Sequence, residues 1–123
     1  MPIKRLLSDM DSNKRKEYPI TTGFLDYFPD AVAMVAHVSY NGNQKHNPGQ
    51  PLHWARGKSS DHEDCIGRHL IERDELDGDV LHLANQAWRT MAALQLAVEK
   101  KYGLSLPRGA TEPGVELPSA VNP

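Results

Sequence analysis

The sequence predicts an all-α fold: a compact bundle of three main helices with a long ordered loop before the second, completed by oligomerisation. Three observations carry this. Apolar residues recur at helical spacing in three stretches, each with its own start and stop residues. No stretch shows strand alternation. The chain has 123 residues and a single cysteine, Cys65, which suits one domain with a modest core and no internal disulfide.

Residues 1–20 read as an irregular arm. Lys14, Arg15 and Lys16 form a short basic cluster on it, and Pro19 discourages helix. Phe24, Leu25 and Phe28 pack as a turn ahead of the first helix, which opens near Phe24 or Pro29. Pro29 suits a first helical turn and Asp30 suits its dipole. The stripe that follows is Val32, Val35, Ala36 and Tyr40, with Ser39 alongside. Asn41-Gly42-Asn43 is expected to end the helix, with Gly42 left-handed.

The loop NQKHNPGQPLHWARGK, residues 43–58, holds two prolines and two glycines. Leu52 and Trp54 argue that it is ordered, and a loop of this length in a small domain suggests cover for a site. The second helix is expected from Asp61 to Arg73, opened by a Ser60-x-x-Glu63 capping box. Its inner face would be His62, Cys65, Ile66, His69 and Leu70.

Asp77-Gly78-Asp79 reads as a turn, with Asp79 as N-cap of a third helix that Gly103 stops after Tyr102. One stripe of that helix is Leu81, Ala84, Trp88, Met91 and Val98. A second is Leu83, Ala87, Leu94 and Ala97, so burial over a wide arc is expected. His82, Asn85, Gln86 and Arg89 make a polar strip along its edge. Residues 104–123 hold four prolines and two glycines and read as an extended tail behind a helical domain at 21–103.

A net charge of −2 and a pI near 6.3 argue against a stable nucleic-acid complex. No apolar run is long enough for a membrane, and MPIKRLLSDMDSNKRKE has no signal-peptide core, so a cytoplasmic protein is expected. Charge is unevenly distributed. Residues 31–60 contain no acid, whereas 61–79 contain eight: Asp61, Glu63, Asp64, Glu72, Asp74, Glu75, Asp77 and Asp79. A phosphate ester with its divalent metal would use both signs side by side; equally, the two segments could pair with each other.

The stretch GKSSDHEDCIGRHL, residues 57–70, concentrates the candidate chemistry. His62 and His69 share the inner stripe, with Asp61 and Asp64 close by and His82 on the next helix. Imidazole with carboxylate could hold a divalent ion, or the histidines could simply bond across a helix pair. Arg56, Lys58 and Arg68 flank a helix N-terminus, where an anion is favoured, though Ser60 alone could cap it. The spacing is not that of a P-loop, because position 52 is leucine. Trp54, beside His53, could stack on a base or seal the core, whereas Trp88 on its apolar stripe reads as core. Cys65 reads as a small buried hydrophobe.

Three segments carry a family likeness: SNKRKEYPITTGFLDYFPDAVAMVAHVSY, then HNPGQPLHWARGKSSDHEDCIGRHLIE, then HLANQAWRTMAALQL. Together they resemble phage and prophage dATP/dGTP diphosphohydrolases, over roughly Ser12 to Leu96. Arg68-His69-Leu70 and His82-Leu83-Ala84 are the most recognisable pieces. That family looks similar in turn to MazG-like all-α pyrophosphohydrolases, which cleave a nucleoside triphosphate to monophosphate and pyrophosphate with Mg²⁺, as dimers or tetramers.

The resemblance implies that 21–103 is a nucleotide-binding domain for a purine nucleotide, in a homo-oligomer, in the host cytoplasm if the gene is a phage's. It implies Lys58, Asp61, His62, Asp64, Arg68, His69 and His82 near the nucleotide, with catalytic roles expected for Asp61, His62 and His69 and Mg²⁺ or Mn²⁺ on Asp61 and Asp64; the residues themselves add His53, Trp54, Arg56 and Asn85 as candidate nucleotide contacts. The sequence departs from the MazG pattern of two carboxylate pairs: Asp61-x-x-Asp64 is present, but the next helix offers His82-x-x-Asn85. This leaves room for a non-catalytic protein that sequesters a host signalling nucleotide, such as a cyclic one.

Overall fold

The computed structural model describes residues 2–57 and 61–112, and the chain is mostly helical over them. The arm carries a four-residue helix, α1 (Ser12–Arg15), started by the Asp11 carboxylate, which accepts the Lys14 backbone N–H at 2.9 Å. A π-helical turn at Thr21–Leu25 follows, and Phe24 meets Phe28 edge-on at 5.9 Å.

Helix α2 runs Pro29–His46, with Pro29 in the first turn as the sequence predicts. Its end differs from expectation. Gly42 does not adopt a positive φ, and the helix continues one further turn. The Asn43 side chain is buried and donates to the Gln50 carbonyl at 3.1 Å, so it holds the following loop rather than a helix end. The stop falls at Asn47, which precedes Pro48. The inward residues of α2 also shift: Val32, Val35, Val38 and Ser39 are half-buried, while Ala36 and Tyr40 face solvent.

Helix α3 runs His62–Ile71, and Asp61 occupies its N-cap position without a capping side-chain bond. Ser60, and with it the expected capping box, lies outside the described residues. Cys65 is buried and His62, Ile66 and His69 are half-buried, as expected; Leu70 is exposed. A short antiparallel hairpin, β2 (Leu76–Asp77) and β3 (Val80–Leu81), turns at Gly78 and leads into α4 (His82–Tyr102). Asp79 therefore caps nothing: it sits in the hairpin and binds α2, accepting from His37 at 2.6 Å and from Asn41 at 3.0 Å. Gly103 ends α4 at φ 62°, as the sequence predicts.

Helix α4 packs against both α3 and α2. Its first stripe turns inward at Ala84, Trp88 and Val98, but Leu81 and Met91 are exposed. The second stripe is a correction: Leu83, Leu94 and Ala97 face solvent, so α4 is not buried over a wide arc within one chain.

The loop after α2 contributes β1 (Trp54–Ala55), which pairs in parallel with β4 (Ala110–Thr111), Trp54 opposite Ala110. The first part of the expected tail thus returns to the bundle, and Ala110 is buried there. Two-residue strands carry no alternation to read, which is why the sequence hides them. Ser105 also binds the arm: its backbone N–H donates to Lys4 and its hydroxyl accepts from the Lys4 N–H. Residues 113–123 lie outside the described residues.

Among the described residues the buried apolar side chains are all modest in size: Cys65, Val80, Ala84, Ala92 and Ala110. Aromatic packing beside them is half-buried. Trp54 meets Trp88 edge-on at 5.8 Å, and the Trp88 indole N–H donates to the Ser39 hydroxyl at 2.7 Å. Both tryptophans therefore seal the interior.

Candidate functional site

The polar strip of α4 lies against the inner stripe of α3. Three of the chain's six histidines and one arginine meet there. Nδ1 of His69 is 2.9 Å from Nδ1 of His82, and Nε2 of His82 is 3.1 Å from a Glu72 carboxylate oxygen. A carboxylate can only accept, so a neutral His82 turned to Glu72 carries its proton on Nε2 and uses Nδ1 as acceptor. His69 must then donate from Nδ1, and its Nε2 is left with a lone pair. With His82 neutral, the series Glu72–His82–His69 sets both tautomers.

One turn and more toward the start of α3, Arg89 donates to Nδ1 of His62 at 3.3 Å, and its guanidinium also lies 5.5 Å from the Trp88 ring. Burial lowers the pKa of His62 below the usual value, and the Arg89 charge lowers it further. Burial does the same to His69, followed by His82 and Arg89, with Asp77 opposing. Both imidazoles are therefore neutral at physiological pH. Arg68, on the exposed side of α3, reaches Asp61 at 3.2 Å and the Cys65 sulfur at 3.1 Å. Asn85 donates to Asp77 at 3.0 Å at the hairpin end of the helix pair.

These contacts bring together His62, His69, His82, Arg68 and Asp61 of the sequence-predicted set, with Asn85 and Asp64 at the margins. They do not bring in the loop residues. Arg56 forms an ion pair with Glu99 at 2.6 Å and stacks 4.0 Å from the Trp54 ring. Glu99 lies 17 residues beyond His82 on α4, about 25 Å along the axis. His53 points its ring nitrogen at the Pro51 carbonyl, 2.8 Å away. Lys58 lies outside the described residues.

Two participants were missing from the sequence-predicted site. Glu72 follows His69 by three residues and Arg89 follows His82 by seven, so both share a face with a predicted histidine. Helical spacing could have found them.

Asp61 and Asp64 sit one turn apart and are exposed. Among the described residues no group of three or more His, Cys, Asp or Glu side chains is close enough to hold a metal ion. The pair fits Mg²⁺ or Mn²⁺ only as a two-carboxylate site whose other ligands are phosphate oxygens and water, a common arrangement for Mg²⁺. A cavity of about 250 Å³ lies elsewhere, between the arm and the end of α4, lined by residues that include Lys4, Arg5, Tyr18 and Tyr102.

Fold and contacts together define a mostly helical protein in which three histidines and two arginines gather along the α3–α4 helix pair. Its family follows from a match over residues 9–103 to the dATP/dGTP diphosphohydrolase N-terminal family, and the chain belongs to that family. No curated protein and no solved structure matches it significantly. No helix among the described residues is long and apolar enough to cross a membrane.

Proposed function

We propose that the chain binds a purine deoxynucleoside triphosphate at the α3–α4 cleft and hydrolyses it, as dATP or dGTP, to monophosphate and pyrophosphate with a divalent metal. The observation that carries this reading is the contact series Glu72–His82–His69, which, with His82 neutral, leaves Nε2 of His69 as a base with no partner among the described residues. Membership of the diphosphohydrolase family supplies the substrate class.

In this reading Arg68, Arg89 and Lys58 meet the triphosphate, and His69 takes a proton from the attacking water. His62, held by Arg89, and His82 line the groove, and Asn85 stands at its hairpin end. Asp61 and Asp64 would hold Mg²⁺ or Mn²⁺. When bound, such an ion neutralises phosphate charge and makes a bound water more acidic. Arg56, Trp54 and His53 are left out of the contact set, because Arg56 pairs with Glu99 at the far end of α4, His53 turns to Pro51 in the loop, and Trp54 packs edge-on against Trp88.

One observation favours a second reading, in which the nucleotide is held without being cleaved. The α4 residue that meets the start of α3, beside Asp61, is Arg89 rather than a carboxylate, while His82 and Asn85 have their partners, Glu72 and Asp77, at the other end of the helix pair. The two readings separate in one assay. Purified protein is incubated with each dNTP and with cyclic oligonucleotides, with Mg²⁺ or Mn²⁺, and the nucleotides are resolved chromatographically. Monophosphate plus pyrophosphate from dATP or dGTP, lost in His69→Asn, is the expected result. A ligand that stays bound and returns intact after heating establishes the second reading. Neither turnover nor retention of any of them overturns both.

A further inference from the structure

The arm and the far end of α4 enclose a cavity of about 250 Å³ that shares no residue with the α3–α4 contacts. Tyr102, on its wall, lies 20 residues beyond His82 on α4, about 30 Å along the axis. What this cavity binds is therefore independent of what α3 and α4 bind. Its two sides are tied by backbone contacts. The Ser105 N–H donates to the Lys4 carbonyl at 3.0 Å, and the Lys4 N–H donates to the Ser105 hydroxyl at 2.8 Å. The Arg5 guanidinium adds to this brace by donating to the carbonyls of Lys4 and Ser105.

Two chemistries meet on the wall. Leu6, Met10 and Leu104 are apolar, and Tyr18 and Tyr102 add aromatic rings. Rings beside a thioether favour a flat aromatic guest. Charge favours an anionic one. Lys4 and Arg5 line the cavity, Lys101 stands 5.6 Å from the Tyr102 ring, and Arg15 lies on the same arm, donating to the Leu7 carbonyl at 3.2 Å. The lining holds one acid, Asp9. Glu99, which also feels the Arg5 charge, is bonded to Arg56 and Gln95. Lys4 is the cation left to anchor a guest. Its ammonium makes no hydrogen bond among the described residues, and Asp9 stands 3.9 Å away with 83% of its side chain exposed. An exposed pair of that kind is worth little, so a ligand anion can replace it. Size narrows the class further. The cavity falls below the roughly 300–1,000 Å³ typical of sites for drug-sized molecules, so it suits a single ring and not a nucleoside triphosphate.

We propose that this cavity binds a small aromatic anion, one ring bearing one carboxylate or phosphate, with Lys4 on the head group and the ring against Tyr18 and Tyr102. A guest seated there joins the arm to the end of α4.

Titration of the full-length chain with benzoate and with phenyl phosphate, followed by backbone amide NMR, tests the site; benzyl alcohol is the uncharged control. The expected result is a saturable shift confined to residues 4–10, Tyr18 and 102–105, with a dissociation constant on the order of a millimolar. The tighter of the two anions identifies the head group. Benzyl alcohol should bind about tenfold more weakly, and Lys4→Met, which keeps the exposed stem, should weaken the anion by about the same factor with Tm unchanged. Lys4→Arg should retain binding. Absence of a saturable shift with either anion, equal binding of benzyl alcohol, shifts centred on α3, or a Lys4→Met chain that binds as the wild type does overturns the proposal.

Discussion

Glu72 acts at one remove: it does not touch His69, yet with His82 neutral it sets which nitrogen of His69 is open. Replacing it with leucine removes the carboxylate that meets His82 and frees both rings to change tautomer. Nitrogen chemical shifts of His69 should then lose their single-tautomer pattern, whereas Glu72→Gln, which keeps an acceptor, should preserve it. The same histidine makes stability depend on pH. Its pKa in the folded chain lies below the usual histidine value of about 6.5, chiefly through burial. The unfolded chain therefore takes up the proton first as pH falls, and stability that is complete above about 6.5 is lost as pH drops toward the folded value. The urea midpoint of the wild type should fall between pH 7.5 and 5.5, and that of His69→Asn should fall less.

Arg56 is a different kind of charged residue. It and Glu99 expose only 11% and 13% of their side chains, and burial alone would raise the Glu99 pKa. Hydrogen bonds from Arg56 and Gln95 more than reverse that, so the folded chain holds the carboxylate ionised. Arg56→Met should cost about 3–5 kcal/mol in chemical denaturation, because it strands a buried charge. The double replacement Arg56→Met/Glu99→Leu should recover much of the loss. At this scale the sequence was informative about residue type and silent about partner. Arg56 and Arg68 look alike on the page, and only the return of residues 104–112 beside the loop shows that one is a brace and the other borders the cleft.

Helix ends illustrate how far local sequence reaches. Gly42 and Gly103 each follow a tyrosine within two residues, and both read as left-handed stops. Gly103 is one, at φ 62°; Gly42 lies inside α2 with helical backbone. The difference is tertiary. Asn41 and Asn43, which would otherwise turn the chain, spend their side chains on Asp79 and Gln50. The two glycines should therefore respond to alanine with opposite signs. At Gly103 a methyl group meets open space but a strained backbone, and the cost should be about 1 kcal/mol. At Gly42 the methyl also meets nothing within 4 Å, and the gain should be about 0.5–1 kcal/mol from reduced unfolded-state freedom. Thermal denaturation of the two variants would show the contrast. The bodies of the helices were legible because their apolar spacing repeats over many residues. The two-residue strands were not, because a pair of residues has no period.

Across the whole molecule, the site was legible as a face rather than as a set of contacts. The inner stripe of α3 and the polar strip of α4 both stand in the sequence, and the hairpin of residues 76–81 folds one against the other. What periodicity could not distinguish was an apolar stripe buried within the chain from one left outside it, and the second stripe of α4 is the case in point. The segment after α4 carries a further prediction at this scale. Ala110 is buried where β4 meets β1, so Ala110→Asp should place an unpaired charge there and destabilise the chain by several kcal/mol, with the loop around Trp54 losing protection first in hydrogen exchange.

Cys65 gives this arrangement a built-in reporter. It is the chain's single thiol, 7% exposed, set one turn from His62 and from His69 on the face of α3 that meets α4. A thiol-specific dye can reach it only when α3 lifts, so the labelling rate is a clock for opening of the groove. A molecule seated between the two helices should slow that clock in proportion to its occupancy, without any need to know in advance what the molecule is.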